Sequence, residues 1–115
     1  MTVQIRKTYR DINPEMLFDE IQGLAQRHGI KIGETKVQTY PLPSGSTQTR
    51  IMMTVKTQGE QPQDEKECGD AQIISSPGGE TKLLLDLNEN IVIKENISSL
   101  QEDINFTLDS YEIKW

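Results

Sequence analysis

The chain has 115 residues, 34% of them hydrophobic, and a formal net charge of −6 at pH 7. That length suits a single domain with one core, room enough for a sheet and about two helices. The acidic balance excludes a general affinity for phosphate backbones, so no nucleic-acid partner is expected. No stretch reaches the run of about 18 apolar residues that a membrane span needs, and no charged start leads into an apolar run, so neither a membrane span nor a secretory leader is read.

Val3, Ile5 and Tyr9 alternate with Gln4, Arg6 and Thr8, which predicts a half-buried first strand over residues 2–9. Asn13-Pro14-Glu15 then supplies a cap, a first-turn proline and a carboxylate for the positive end of a helix. Leu17, Phe18, Ile21, Leu24 and Ala25 trace one apolar face, and His28-Gly29-Ile30 closes it, giving a helix over 14–28. Residues 31–40 are rich in strand formers and stop at Pro41, Pro43 and the Ser44-Gly45-Ser46 turn. Ile51, Met53 and Val55 mark a third strand with one buried face.

A polar link over about 58–69 carries Pro62 and a set of carboxylates without apolar periodicity, and a mobile loop is expected there. Ala71, Ile73 and Ser75 lead through the Pro77-Gly78-Gly79 turn to a returning strand with Leu83, Leu85 and Leu87 on one face. Leu84 falls on the opposite face. Finally Ile93, Ile97, Leu100, Ile104, Leu108, Tyr111 and Trp115 recur at steps of four or three, predicting a terminal helix over 95–112 whose stripe must lie on something apolar. A capping-box pattern at Ser99-Leu100-Gln101-Glu102 competes for its start. Phe106 and Ile113 sit off the stripe, placed to cover a loop or touch a partner. The fold class read from this order is α+β: strand, helix, four strands, helix, with a curved antiparallel sheet packed on a long C-terminal helix.

The chemical inventory is sparse. His28 ends the first helix, where the negative helix terminus favours a capping role. Cys68, the only cysteine, has no partner for an internal disulfide, which suits a reducing compartment and a cytoplasmic location, and its acidic neighbours Glu67 and Asp70 disfavour a thiolate. Asp86-Leu87-Asn88-Glu89-Asn90 starts like a calcium loop, but Ile91 stands where glycine must turn and Ile97 where the bidentate glutamate belongs, so no metal and no cofactor is expected. The glycosylation patterns at Asn96 and Asn105 fall within the terminal helix and are read as chance. Residues 1–57 hold eight Lys/Arg against five Asp/Glu, while 58–115 hold four against thirteen. If the two halves form different faces, the molecule is dipolar; otherwise these charges solvate loops and a helix face.

The segment Asn13-Pro14-Glu15-Met16-Leu17-Phe18 with Ile21, together with the terminal helix, resembles the START/Bet v 1-like (helix-grip) superfamily. What the resemblance implies is a hydrophobic small molecule or lipid held between sheet and terminal helix, with Ile51, Met53, Val55, Ile73, Leu83 and Leu85 as floor and Ile104, Leu108 and Tyr111 as roof. A solid core would use the same residues. Non-catalytic binding of such a ligand is therefore one expectation, with the adaptable Met16 and Met53 in its favour. The alternative is a protein-interaction module acting through Met52, Leu84, Phe106 and Ile113, with a protein partner or as a homodimer. An enzyme built on dispersed carboxylates and Tyr9 or Tyr40 ranks third, with no catalytic residue selected by the sequence.

Overall fold

The computed structural model describes residues 2–75 and 78–113. In chain order they form β1 (Thr2–Arg10), α1 (Pro14–Arg27), β2 (Ile30–Pro41), β3 (Thr47–Thr57), a short 3-10 turn (Pro62–Asp64), β4 (Glu67–Ser75), β5 (Glu80–Asn88) and α2 (Lys94–Thr107). The strands make one five-stranded antiparallel sheet in the order β1-β5-β4-β3-β2. Strand, helix, strands, helix is the α+β layout read from the sequence.

Local chemistry accounts for α1. Oδ1 of Asn13 accepts from the Met16 amide at 2.8 Å, and Pro14 sits where an amide would be orphaned anyway. His28 is the C-cap and Gly29 takes φ +78, the left-handed conformation that costs a side chain dearly. The helix carries the chain from the Arg10 end of β1, at one sheet edge, to β2 at the other. On the way it packs against β2, β3, β4 and α2. Leu42 and Ser46 close the β2–β3 hairpin through a 2.8 Å backbone bond, with Gly45 at φ +89.

The link after β3 is tied to its neighbours. Thr57 donates its amide to Lys66 O at 2.8 Å, Gln58 donates its own to Gly29 O at 3.0 Å, and Lys31 pairs with Glu65. β4 begins at Glu67, so Cys68 is a buried strand residue. Ser76 and Pro77 of the expected glycine turn lie outside the described residues; within it Gly79 has φ +83.

The terminal helix is shorter than its periodicity suggests, Lys94–Thr107 in place of 95–112. Ile97, Leu100 and Ile104 form its buried stripe and Leu108 is its buried C-cap, while Ile93 is the N-cap and 59% exposed. Val92 takes the inward place instead, because Asn88 O collects the Ile91 and Val92 amides in a tight turn. Beyond Leu108 the chain leaves the helix for the sheet. Arg10 donates its amide to Tyr111 O at 2.7 Å, and Ile113 donates to Thr8 O at 2.8 Å. Unpaired edge groups of β1 compete with helix propagation here, and a stripe of threes and fours cannot register that competition. Trp115 lies outside the described residues.

Core-facing residues of all five strands, α1 and α2 merge into one buried cluster. Both helices lie on the same side of the sheet. Among the described residues, the opposite side carries no helix.

Candidate functional site

The nine residues expected to line a sheet–helix cleft are brought together. Registers set Ile51 beside Ile73 and Ile73 beside Leu83, with Met53, Ala71 and Leu85 in the next row. Val55, Ile104 and Leu108 belong to the same buried cluster, and Tyr111 packs half-buried at its margin. Ile73, Leu83 and Ile104 are each 0% exposed. A side chain with no accessible surface borders no void large enough for water, so these residues pack on one another as a filled core.

The uncovered face of the sheet is a different environment. Alternation sends every second strand residue there, and the registers align them in rows across the strands. The central row runs Arg6, Leu84, Gln72, Met52, Lys36. On one side lies a cationic row, Thr8, Lys82, Ile74, Arg50, Gln38. On the other lies an acidic row, Gln4, Asp86, Asp70, Thr54. Glu34 extends that row at a bulge in β2, its amide donating to Thr54 Oγ1 at 2.9 Å.

Leu84, Met52 and Ile74 are all half-buried: Leu84 and Met52 flank Gln72 in the central row, and Ile74, in the cationic row, stands diagonally to both, which makes an apolar centre among the charges. Two shallow concavities flank it. One is lined by Glu34, Lys36, Met52, Thr54, Asp70 and Gln72, the other by residues that include Arg6, Lys82, Leu84, Glu112 and Ile113. No family model matches the chain, and no curated protein or solved structure matches it significantly.

Asp70 and Asp86 sit directly opposite one another, a like-charge placement that costs free energy. Among the described residues, Arg6, Lys36, Lys82, Asp70, Asp86 and Glu34 enter no ion pair within the chain. Arg50 stacks its guanidinium 5.9 Å from the Tyr40 ring centre and keeps a buried Nε without an acceptor among the described residues. Both sequence halves contribute, because β5 and β4 sit between β1 and β3. Basic residues of the first half and acidic residues of the second thus meet in rows on this one face.

The remaining candidates fall elsewhere. Met52, Leu84 and Ile113, singled out by their position off the core stripes, all border the uncovered face, whereas Phe106 is 86% exposed on α2. Ile74 and the cationic row were not anticipated. Their signal was present as a strand residue of opposite parity to Ala71 and Ile73, but only the register shows what lies beside it. Cys68 is 1% exposed and burial pushes its thiol pKa up, with Glu67 adding to the shift, so it packs as a small apolar side chain. Among the described residues, no three His, Cys, Asp or Glu side chains are grouped to hold a metal ion.

Proposed function

We propose that this chain is a non-catalytic protein-interaction module whose recognition surface is the sheet face that no helix covers. The observation that carries the reading is the apolar centre of Leu84, Met52 and Ile74 set among charged residues, of which Arg6, Lys36, Lys82, Asp70, Asp86 and Glu34 enter no ion pair among the described residues. Interfaces are built this way: an apolar patch excludes water, and surrounding charges fix orientation. Holding a hydrophobic small molecule between sheet and α2 would instead require displacing side chains that are already fully packed.

The test compares complexes captured by the unaltered protein with those captured by a Leu84→Glu, Met52→Glu double variant. Circular dichroism would establish that the variant is folded. Loss of a complex in the double variant and its retention in Phe106→Glu is the expected result. Retention in both removes the reading, and native mass spectrometry that finds a stoichiometric apolar molecule in the purified protein would overturn it in favour of a ligand carrier.

A further inference from the structure

The two edges of the sheet are finished differently. On β1 the tail supplies partners, through the Arg10 amide to Tyr111 O and the Ile113 amide to Thr8 O. β2 ends the strand order on the other side, and no strand among the described residues pairs with its outer edge. Its residues 34–40 are all exposed, Val37 by 63%.

The hairpin fixes which backbone groups that edge presents. Leu42 donates its amide to Ser46 O, so by the alternation of an antiparallel ladder Lys36, Gln38 and Tyr40 bond inward to β3. Thr35, Val37 and Thr39 therefore point their amides and carbonyls outward, and Pro41, the next outward position, has no amide to offer. A row of such groups is matched by another extended strand. The outward set reads Thr, Val, Thr in both directions about Val37. Its limits are symmetric too: the bulge between Ile32 and Thr35 holds Gly33, four positions before Val37, and Pro41 stands four positions after it.

We infer that the β2 strand of a second copy adds to this edge, antiparallel, about a two-fold axis that passes through the Val37 pair perpendicular to the sheet. Thr35 faces the second copy's Thr39 and Val37 faces its own counterpart, each pair exchanging two backbone hydrogen bonds. Cross-strand pairs of β-branched residues are favourable. On the other face of the strand Lys36 lies opposite Gln38, and Glu34, at the bulge, lies opposite Tyr40. No like charges meet directly, and the two Lys36 side chains, diagonal neighbours, remain in solvent. Sliding the copies by two residues in one sense would set Lys36 directly on Lys36. In the other sense it would drive the Pro41 ring into the Thr35 carbonyl, where an amide hydrogen belongs. Bulges and prolines generally blunt an edge; here their spacing leaves one register open.

The axis sets the helices of both copies on one side of a continuous sheet and both uncovered faces on the other. The inference goes beyond the interaction-module reading and does not rest on it, since Leu84, Met52 and Ile74 take no part in the pairing. A contact this short is small, so the dimer is weak and reversible, with a dissociation constant in the micromolar range or above.

Sedimentation equilibrium on the full chain between about 10 μM and about 1 mM tests the inference. The unaltered protein should show a monomer–dimer equilibrium. Over the same range hydrogen exchange at the Thr35, Val37 and Thr39 amides should slow several-fold, while Lys36 and Gln38, already bonded to β3, change far less. Val37→Pro removes an outward amide and leaves the β3 ladder alone, so it should stay folded by circular dichroism and be monomeric. Val37→Lys alone and Val37→Glu alone should each weaken association at least tenfold, because the new charge meets itself on the axis. An equimolar mixture of the two should associate again, and recovery also demonstrates that both are folded. A protein monomeric at every concentration, a dimer that survives Val37→Pro, or a mixture that stays monomeric overturns the inference. A dimer abolished by Leu84→Glu with Met52→Glu but not by Val37→Pro overturns it as well, by moving the second copy to the sheet face. Loss of a captured partner is read on that double variant alone, so the module reading and the edge pairing fail separately.

Discussion

Nε2 of His28, the residue that closes α1, lies 2.6 Å from Oδ2 of Asp103 on α2. The contact joins the two helices across 75 positions of sequence. It is half in solvent: the side chains are 16% and 40% exposed. A pair so placed contributes modestly, because water screens it and both side chains lose freedom.

Replacing either partner should therefore cost about 0.3 to 1 kcal/mol. A double-mutant cycle of His28→Ala and Asp103→Ala, read by urea denaturation, isolates the coupling. Coupling near zero would mean that the two helices are held together by their apolar faces alone.

The buried stripe of α2 bears far more of the stability. Ile104 is 0% exposed and sits at the centre of the helix's inward face. Ile104→Ala should cost about 2 to 5 kcal/mol, the sum of lost transfer energy and the cavity left behind. A loss of only a few tenths in denaturant unfolding would place this helix the wrong way round on the sheet.

Close strand approach sets a different constraint at Gly69. It pairs with Leu87 in the β4–β5 ladder, and a Cβ there would run into the backbone carbonyl oxygen of Asp86. Backbone cannot yield as a flexible side chain can. Gly69→Ala should destabilise by about 1 to 3 kcal/mol or more, the range for overpacked sites, and it should separate Asp70 from Asp86 on the uncovered face. Amide hydrogen exchange along β4 and β5 would locate the damage.

The strand-like tail gives a third mechanical element. Ile113→Pro removes the amide that donates to Thr8 O, leaving that carbonyl on the β1 edge to water. The expected loss is about 1 kcal/mol, with faster exchange of the Arg10 amide, which donates to Tyr111 O. Unchanged protection of Arg10 would show that the Lys7–Glu112 ion pair, at 3.0 Å, holds the tail in place without that amide.

How far this architecture is legible in the sequence depends on the range of the interaction. The Asn13 cap, the Gly29 stop, the alternation of Ile51, Met53 and Val55 and the outward parity of Leu84 are local signals, and each corresponds to an element or a face in the fold. The end of α2 is not local. Whether Tyr111 continues the helix depends on an empty sheet edge about a hundred residues away, and periodicity favours the helix regardless. The core residues were legible as apolar; whether they enclose a void or fill it is a matter of packing that no spacing encodes. The rows on the uncovered face needed the β3–β4 and β4–β5 registers, since Lys82 and Arg50 come from distant segments that only pairing with Ile74 brings to one row.

Tyr9 carries the last prediction. It is fully buried on β1, and its hydroxyl has no hydrogen-bond partner among the described residues. Burial, reinforced by the Glu112 carboxylate, pushes its pKa well above the ordinary tyrosine range. In the unfolded chain the phenol titrates near its usual value of about 10. Above that pH the unfolded state binds fewer protons than the folded one, so stability should fall as pH rises past about 10. Tyr9→Phe removes both the buried, unpartnered hydroxyl and this alkaline dependence. At pH 7 it should be neutral or stabilising by up to about 1 kcal/mol, since an unsatisfied polar group costs free energy when buried. Denaturant unfolding of the two proteins at pH 7 and at about pH 10.5 checks both claims, the second as a gap that widens with pH in favour of the variant. A variant clearly less stable at pH 7 would show that the hydroxyl is held by a partner in solution.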